Sequence, residues 1–424
     1  MAPIHERVLN TDGQPAGESP LELGHVIQRI QLANWMNFRE VDLPLAPRVF
    51  IVGKNAVGKS NLLQAFCFLR DIADQSGGGL QAACRARDGF RKLRSLHIHG
   101  GRSDLAIEVD VGPPGGPCSY RYRIAMNLRQ VAEDRPSIQR EQLTLNPDGP
   151  APQALIDRPD AGDQQDPQRL YQTHLEQVST NQPFRGFVEF LSSITYLHPV
   201  PRMLREGQAN TRFQLGRDPL GRDLLAHVAR TPERSRRARL AEISKILQRV
   251  VPNLDELSFA TDEHNQPHLQ VSFSHWRKRP ARQQESQFSD GTIRLIAMLW
   301  AIRSGTGVLL LEEPELSLHA EIVRSLPVAM LKLHRKGRRH QVIATTHSLE
   351  MLADPGISPE EVVLITPGKA GSNVARLTDD HGLRELMENG LTAAEVLSVR
   401  KEPPRGRKSV GEEPGMQREF SFYP

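Results

Sequence analysis

Gly53-Lys54-Asn55-Ala56-Val57-Gly58-Lys59-Ser60 decides the fold. The stretch fits G-x-x-x-x-G-K-[ST], the pattern of a loop that cradles phosphate. Before it runs Arg48-Val49-Phe50-Ile51-Val52, apolar and β-branched, a buried-strand signal. After it, Asn61 to Leu69 is apolar at helical spacing. A glycine-rich loop between a strand and a helix turns its backbone N–H groups toward an anion. The helix N-terminus adds partial positive charge at the same place. In this setting Lys59 would reach the β/γ-phosphates and Ser60 would hold Mg²⁺.

The chain has 424 residues and a net charge of +4, enough for one large core or two modest ones and compatible with nucleic acid without arguing for it. No apolar run approaches the ~18 residues of a membrane span, so no membrane role is expected. The N-terminus lacks a charged-then-apolar signal pattern. Cys67, Cys84 and Cys118 are scattered without metal spacing, which makes a reduced cytoplasm the expectation.

Residues 1–24 read as a polar tail. Alternation predicts strands at 25–32, up to Leu45, at 105–111 and at 120–126, with Ile138 to Leu145 as a further one. The first two are expected to cover one edge of the phosphate-loop sheet. Together, 25–145 reads as the N-terminal part of the nucleotide head. Asn146 to about Gln168 is rich in Pro, Asp, Gln and Gly and reads as a surface linker or disordered insertion. Residues 146–287 form this linker plus an arginine-rich helical insertion and a hairpin. In 202–249 the apolar positions Leu240, Ile243, Ile246, Leu247 and Val250 predict an amphipathic helix with a basic face. That face is either a solvated surface, a phosphate-backbone contact for DNA or RNA, or a dock for an acidic partner. Residues 288–400 read as the C-terminal part of the head, and 401–424 as a second tail.

Three later stretches carry chemistry. Val308-Leu309-Leu310-Leu311-Glu312-Glu313 is a buried strand ending in carboxylates, and beside a phosphate loop it is a Walker B element. Glu312 would hold Mg²⁺. Glu313 would polarise the attacking water as general base, an effect worth about 10²–10⁴ in rate. Gln341 to Thr346 is another buried strand, and His347 at its end could sense the γ-phosphate. Ser289 can N-cap the helix beginning at Asp290, with Gly291 keeping the backbone open, which makes a second phosphate grip. It lies too close before the acidic strand to reach the same nucleotide. A dimer follows, with Ser289, Asp290 and Gly291 closing on the nucleotide of the other subunit.

The order of phosphate loop, signature serine, acidic strand and strand-end histidine resembles the ABC-type ATPase heads of the RecF/SMC superfamily. Within it, Ser289-Asp290-Gly291-Thr292 and Glu312 to His319 resemble bacterial stand-alone AAA-annotated ATPases of overcoming-lysogenization-defect-like and two-gene phage-defence systems. The resemblance implies an α/β P-loop NTPase, an ABC-type head with an N-terminal antiparallel β element and a helical insertion. It implies ATP with Mg²⁺, a D-loop at Ser317 and His319, and Arg39 approaching the nucleotide from Asn37-Phe38-Arg39. His319 stands where many relatives carry Asp, and Glu312 where Asp is more usual. Nucleotide binding is thus expected at Gly53, Lys54, Asn55, Ala56, Val57, Gly58, Lys59, Ser60, Asn61 and Arg39, and catalysis at Lys59, Glu313 and His347. Without a long heptad run a full SMC-type tether is excluded. The stretch after His347 is shorter than a TOPRIM nuclease domain of roughly 100 residues, so any nuclease is expected on a separate chain.

Two functions fit. One is an Mg²⁺-dependent ATPase working as an ATP-bridged homodimer, coupled to nucleic acid or a separate effector protein in DNA repair or phage defence. The other is a slowly hydrolysing, nucleotide-gated scaffold or sensor that holds such an effector, with 202–249 and the basic segment 332–340 as docking faces. A transporter ATPase fits less well, because the signature lacks a second glycine and the middle insertion is foreign to transporter heads.

Overall fold

The computed structural model describes residues 20, 24–95, 104–128, 134–206, 218–274, 281–336 and 338–399. Its strands are, in chain order, β1 (Val26–Trp35), β2 (Phe38–Pro44), β3 (Arg48–Val52), β4 (Leu105–Gly112), β5 (Tyr120–Leu128), β6 (Pro136–Leu145), β7 (Gln153–Arg158), β8 (Thr195–Leu197), β9 (Leu254–Thr261), β10 (Pro267–Phe273), β11 (Ala281–Gln284), β12 (Thr306–Glu312), β13 (Arg338–Thr346), β14 (Val362–Gly368) and β15 (Gly371–Arg376). They form three sheets: β2-β1-β4-β5-β6-β7, β11-β10-β9 and β15-β14-β3-β13-β12-β8.

The third sheet explains the unbroken apolar runs in the sequence. Strands β14, β3, β13, β12 and β8 are parallel, with β15 antiparallel at one edge. Alternate residues of each strand enter different cores. Val49, Ile51, Val308, Leu310, Ile343, Val363 and Ile365 join one apolar cluster. Phe50, Leu309, Leu311, Val342, Ala344, Val362 and Leu364 join the other. A parallel sheet covered on both faces has no polar side to present, so its strands read as continuous Val/Ile/Leu runs. The first cluster holds the helix Lys59–Ala73 and the inner face of the antiparallel sheet. The second holds the helices Glu233–Val250 and Asp290–Ser304. This is the α/β P-loop NTPase fold that the sequence implies.

The first hairpin lies against an edge of the phosphate-loop sheet, as expected, without being part of it. The edges of that sheet are β8 and β15; β2 packs beside β15, and the Ser372 amide of β15 donates to the Asn37 carbonyl of the hairpin turn at 2.9 Å. β1 pairs antiparallel on both sides, with β2 and with β4, and so starts a sheet of its own. Gln341 of β13 joins the two sheets. Its side chain accepts from the Ile27 amide at 3.0 Å and donates to the Ile27 carbonyl at 2.8 Å and the Ala46 carbonyl at 3.0 Å.

The stretch after Asn146 is likewise ordered where described. β7 is the sixth strand of the antiparallel sheet, paired with β6. Arg158, 1% exposed, donates to Glu141 at 2.9 Å and to both oxygens of Asp163 at 2.9 and 2.8 Å. Polar composition suggested a solvated linker, but these charges satisfy one another inside the fold, which composition alone does not disclose.

The helix over 233–250 is amphipathic, burying Leu240, Ile243 and Leu247. Much of the arginine of this region is engaged in structure. Arg236 lies over the Phe259 ring at 4.0 Å and Arg239 over Trp300 at 5.6 Å. Arg202 pairs with Glu206 and Arg237 with Glu233. Arg212, Arg217, the side chains of 332–340 and the tails, apart from Pro20 and Gly24, lie outside the described residues.

Candidate nucleotide site

Strand register brings the site together. Val52 pairs with Thr346, and Thr345 pairs with Glu312. The chain therefore leaves β3 at Gly53, β13 at His347 and β12 at Glu313 on one level, at the carboxyl ends of three adjacent strands. In open α/β sheets that end is where ligands sit.

The phosphate loop is shaped by two glycines. Gly58 has φ 103° and precedes the helix Lys59–Ala73. A Cβ there would fall 2.2 Å from Asn37 Nδ2, and one on Gly53 would fall 2.6 Å from the Ile365 carbonyl. Asn37 Nδ2 donates to the Val57 carbonyl and to Ser372 Oγ, both at 2.8 Å. Asn61 Nδ2 donates to Asn37 Oδ1 at 2.8 Å, and Ser372 Oγ donates to Val57 O at 2.7 Å. Asn37 thus braces the loop from outside, while Arg39, two residues on, is exposed on β2. Lys59 is buried, and its Nζ donates to the carbonyls of Gly53 at 2.9 Å and Lys54 at 3.2 Å. Lys54, Asn55 and Ala56 form the exposed tip, with Ala56 at φ 62°.

Ser60 Oγ donates to Glu312 Oε1, and the Tyr196 hydroxyl donates to Glu312 Oε2. Burial, reinforced by that bond, pushes the Tyr196 phenol well above its usual value, so it serves as a donor. His198 Nδ1 is 3.2 Å from the Glu312 carbonyl. A hydroxyl and one carboxylate meeting beside a phosphate loop are the donor set of a magnesium ion that arrives with nucleotide and keeps most of its other ligands as water and phosphate. The residues present fit that ion.

Glu313 turns the chain sharply, with φ 42°. Its amide donates to the Thr345 carbonyl at 3.2 Å, and its carbonyl accepts from Arg294 Nη2 at 3.1 Å. His347 Nδ1 lies between two carboxylates, 3.5 Å from Glu313 Oε1 and 3.4 Å from Glu315 Oε1. Glu315 Oε1 also accepts from Thr346 Oγ1 at 2.7 Å and from the His347 amide at 3.0 Å.

Ser289 caps the helix Asp290–Ser304, accepting from the Thr292 amide at 3.2 Å. Asp290 pairs with Arg205 at 2.5 Å. Gly291 lies against the Ser317 carbonyl, 2.7 Å from where a Cβ would stand, and Ser317 has φ 63°. Ser289, Asp290, Gly291, Ser317 and His319 line one cleft together with Val250 and Ile322. The residues expected as signature and those expected as D-loop thus share one surface within the chain.

Residues 48–353 match the family described as "AAA domain, putative AbiEii toxin, Type IV TA system". The chain belongs to that family. The match runs from the phosphate-loop strand through the acidic strand to just beyond His347, so every expected site residue except Arg39 falls inside it. No curated protein matches the chain. Among solved structures, an SMC head bound to the C-winged helix domain of ScpA is 14% identical with TM-score 0.40, covering 82% of this chain and 97% of that chain. The SMC head domain from Thermotoga maritima is 14% identical with TM-score 0.41, covering 83% and 98%. The Pyrococcus furiosus Smc head domain with an extended coiled coil, bound to the C-terminal domain of ScpA, is 13% identical with TM-score 0.42, covering 86% and 100%.

Tyr196, Asn37, Arg294 and Ser372 were not assigned roles from sequence. Tyr196 stands 116 residues before its partner Glu312, and Asn37 stands 335 before Ser372. No local pattern links residues so far apart.

Proposed function

We propose that the chain is an Mg²⁺-dependent ATPase that works as an ATP-bridged dimer and couples closure to a separate effector or to nucleic acid. One observation carries this reading: Ser60 with Glu312, and Glu313 with His347, meet beside Lys59 at the ends of β3, β12 and β13. Ser60 and Glu312 would hold Mg²⁺, which when bound offsets phosphate charge. Lys59 would move from the loop carbonyls to the β/γ-phosphates. Glu313 would take the proton of the attacking water, with His347 beside it at the γ-phosphate. The cleft of Ser289, Gly291, Ser317 and His319 would receive the nucleotide held by the second protomer, stabilising the transition state mostly electrostatically.

For the partner, Arg234, Arg237, Lys245 and Arg249 are exposed along the helix Glu233–Val250. At 1.5 Å per residue they span about 22 Å, a length over which a duplex offers several phosphates. A role in phage defence fits the toxin system that the family's description names; DNA repair is the alternative.

The test is mass photometry of Glu313→Gln with and without ATP·Mg²⁺ and DNA, alongside ATP turnover. The expected result is an ATP-dependent dimer and a turnover at least 100-fold below wild type. Wild-type turnover in this variant would remove Glu313 as the base. A mass that ignores ATP would remove the ATP-bridged dimer.

A further inference from the structure

We infer that Tyr196 is the positioning residue for Glu312, clamping the carboxylate so that it can share a magnesium ion with Ser60. This rests on the reading of Ser60 and Glu312 as the magnesium residues and names the group that makes it work.

The clamp comes from the edge strand β8. It runs parallel to β12, with Tyr196 opposite Leu310 and Leu197 opposite Leu311. In that register the Tyr196 side chain reaches two residues along β12 to Glu312. The two carboxylate oxygens are then claimed separately, Oε1 by Ser60 and Oε2 by Tyr196. His198, two residues further and on the same side of the chain, meets the Glu312 carbonyl at 3.2 Å. Side chain and main chain of one residue are thus held from one neighbouring segment.

The need for such a clamp follows from the sequence. Glutamate has one more rotatable bond than aspartate and loses more rotamer freedom when fixed. Ser60 cannot fix it alone, because its hydroxyl must also serve the ion. Tyr196 has no such second duty. Its ring is partly buried against the core and its hydroxyl donates to the oxygen that Ser60 leaves. When Ser60 turns to the ion, Tyr196 keeps Glu312 aimed. Partners of metal-holding groups commonly tune metal affinity by 10–100-fold.

The experiment titrates Mg²⁺ against binding of a hydrolysis-resistant fluorescent ATP analogue to wild type, Tyr196→Phe, Glu312→Asp and the double variant, with EDTA as the metal-free arm. For Tyr196→Phe the Mg²⁺ concentration that half-tightens binding is expected to rise about tenfold or more, with metal-free affinity unchanged. Glu312→Asp withdraws the carboxylate from the tyrosine, so adding Tyr196→Phe to it is expected to change nothing further. Equal Mg²⁺ dependence in Tyr196→Phe and wild type would overturn the inference. So would effects that multiply in the double variant, or a loss of metal-free affinity in Tyr196→Phe equal to the loss with metal. A wild-type protein whose binding ignores Mg²⁺ would overturn the reading of Ser60 and Glu312 first, and the clamp with it.

Discussion

Arg294 Nη2 donates to the Glu313 carbonyl at 3.1 Å. Arg294 belongs to the helix that Ser289 caps, and it is 3% exposed. Burial pushes its guanidinium below the usual value, while the nearby carboxylates of Glu315 and Glu313 pull the other way. The helix that Ser289 caps is therefore tied, within one chain, to the residue proposed as general base, whose φ of 42° is uncommon for a non-glycine. A shift of that helix when a second protomer closes on it would be felt at Glu313. Arg294→Met keeps the bulk and removes the bond. It is expected to cost about 2 kcal/mol of stability, the usual worth of a hydrogen bond to a charged group, and to lower turnover more than nucleotide affinity. Urea midpoints, turnover and binding titrations measure the three separately; an equal loss of turnover and affinity would count against the tie.

Gly58→Ala should strike the phosphate loop alone. The new Cβ meets Asn37 at 2.2 Å and the residue sits at φ 103°. Left-handed backbone costs a non-glycine about 1–2 kcal/mol, and the collision adds to it. ATP affinity is expected to fall at least tenfold, or about 1.4 kcal/mol, with the circular dichroism spectrum unchanged. In an Asn37→Ala background, which lacks both the brace and the collision, Gly58→Ala should cost less affinity than in wild type, leaving the strain alone. No cost at all in that background would mean that φ does not matter here.

Gly291→Ala is expected to separate nucleotide binding from the proposed dimer closure. Its Cβ would stand 2.7 Å from the Ser317 carbonyl, forcing the signature helix and the D-loop apart. Overpacking of this kind costs roughly 1–3 kcal/mol. Nucleotide binding by the monomer should be untouched, because the phosphate loop is not involved. The proposed ATP-dependent dimer, followed by mass photometry, should weaken. Loss of nucleotide binding would place Gly291 at its own chain's nucleotide.

Acid should loosen the 158–163 corner. Burial would raise the Asp163 carboxyl, but its bonds to Arg158 and to the Asp160 amide win and bring it down to about 2. An unfolded aspartate titrates near 3.9. The folded value is the lower one, so the unfolded chain takes the proton first. The stabilisation is complete above about pH 4 and is lost as pH falls through 2. Glu141 is pushed up to about 7 by burial against the pull of Arg158, so it adds an opposite slope near the top of that window, where an unfolded glutamate (about 4.3) still titrates; wild type and Asp163→Asn share that slope. Urea midpoints between about pH 4.5 and 2.5 should fall further for wild type than for Asp163→Asn, although the variant starts less stable. Parallel slopes would show that Asp163 is not held ionised.

The phosphate loop, the acidic strand and the strand-end histidine were legible because each is a short contiguous run whose chemistry and flanking strand or helix are set by local sequence. Val308 to Leu311 could be read as buried from its composition, and the sheet confirms it with alternate residues entering different cores. The stretch from Asn146 was misread for the opposite reason. Its charges are compensated by partners such as Glu141, which lies 17 residues before Arg158, and composition cannot tell a paired charge from a solvated one.

By itself the sequence determined that a phosphate loop stands between a strand and a helix and that acidic and histidine-tipped strands follow, since backbone turn preferences and hydrophobic pattern act over a few residues. Tertiary structure alone decided the order β3-β13-β12-β8, which places His347 between the loop and the acids and brings Tyr196 to Glu312. Strand order is a choice among pairings that bury the same apolar residues, so it is settled by packing across the whole domain rather than by any stretch of chain.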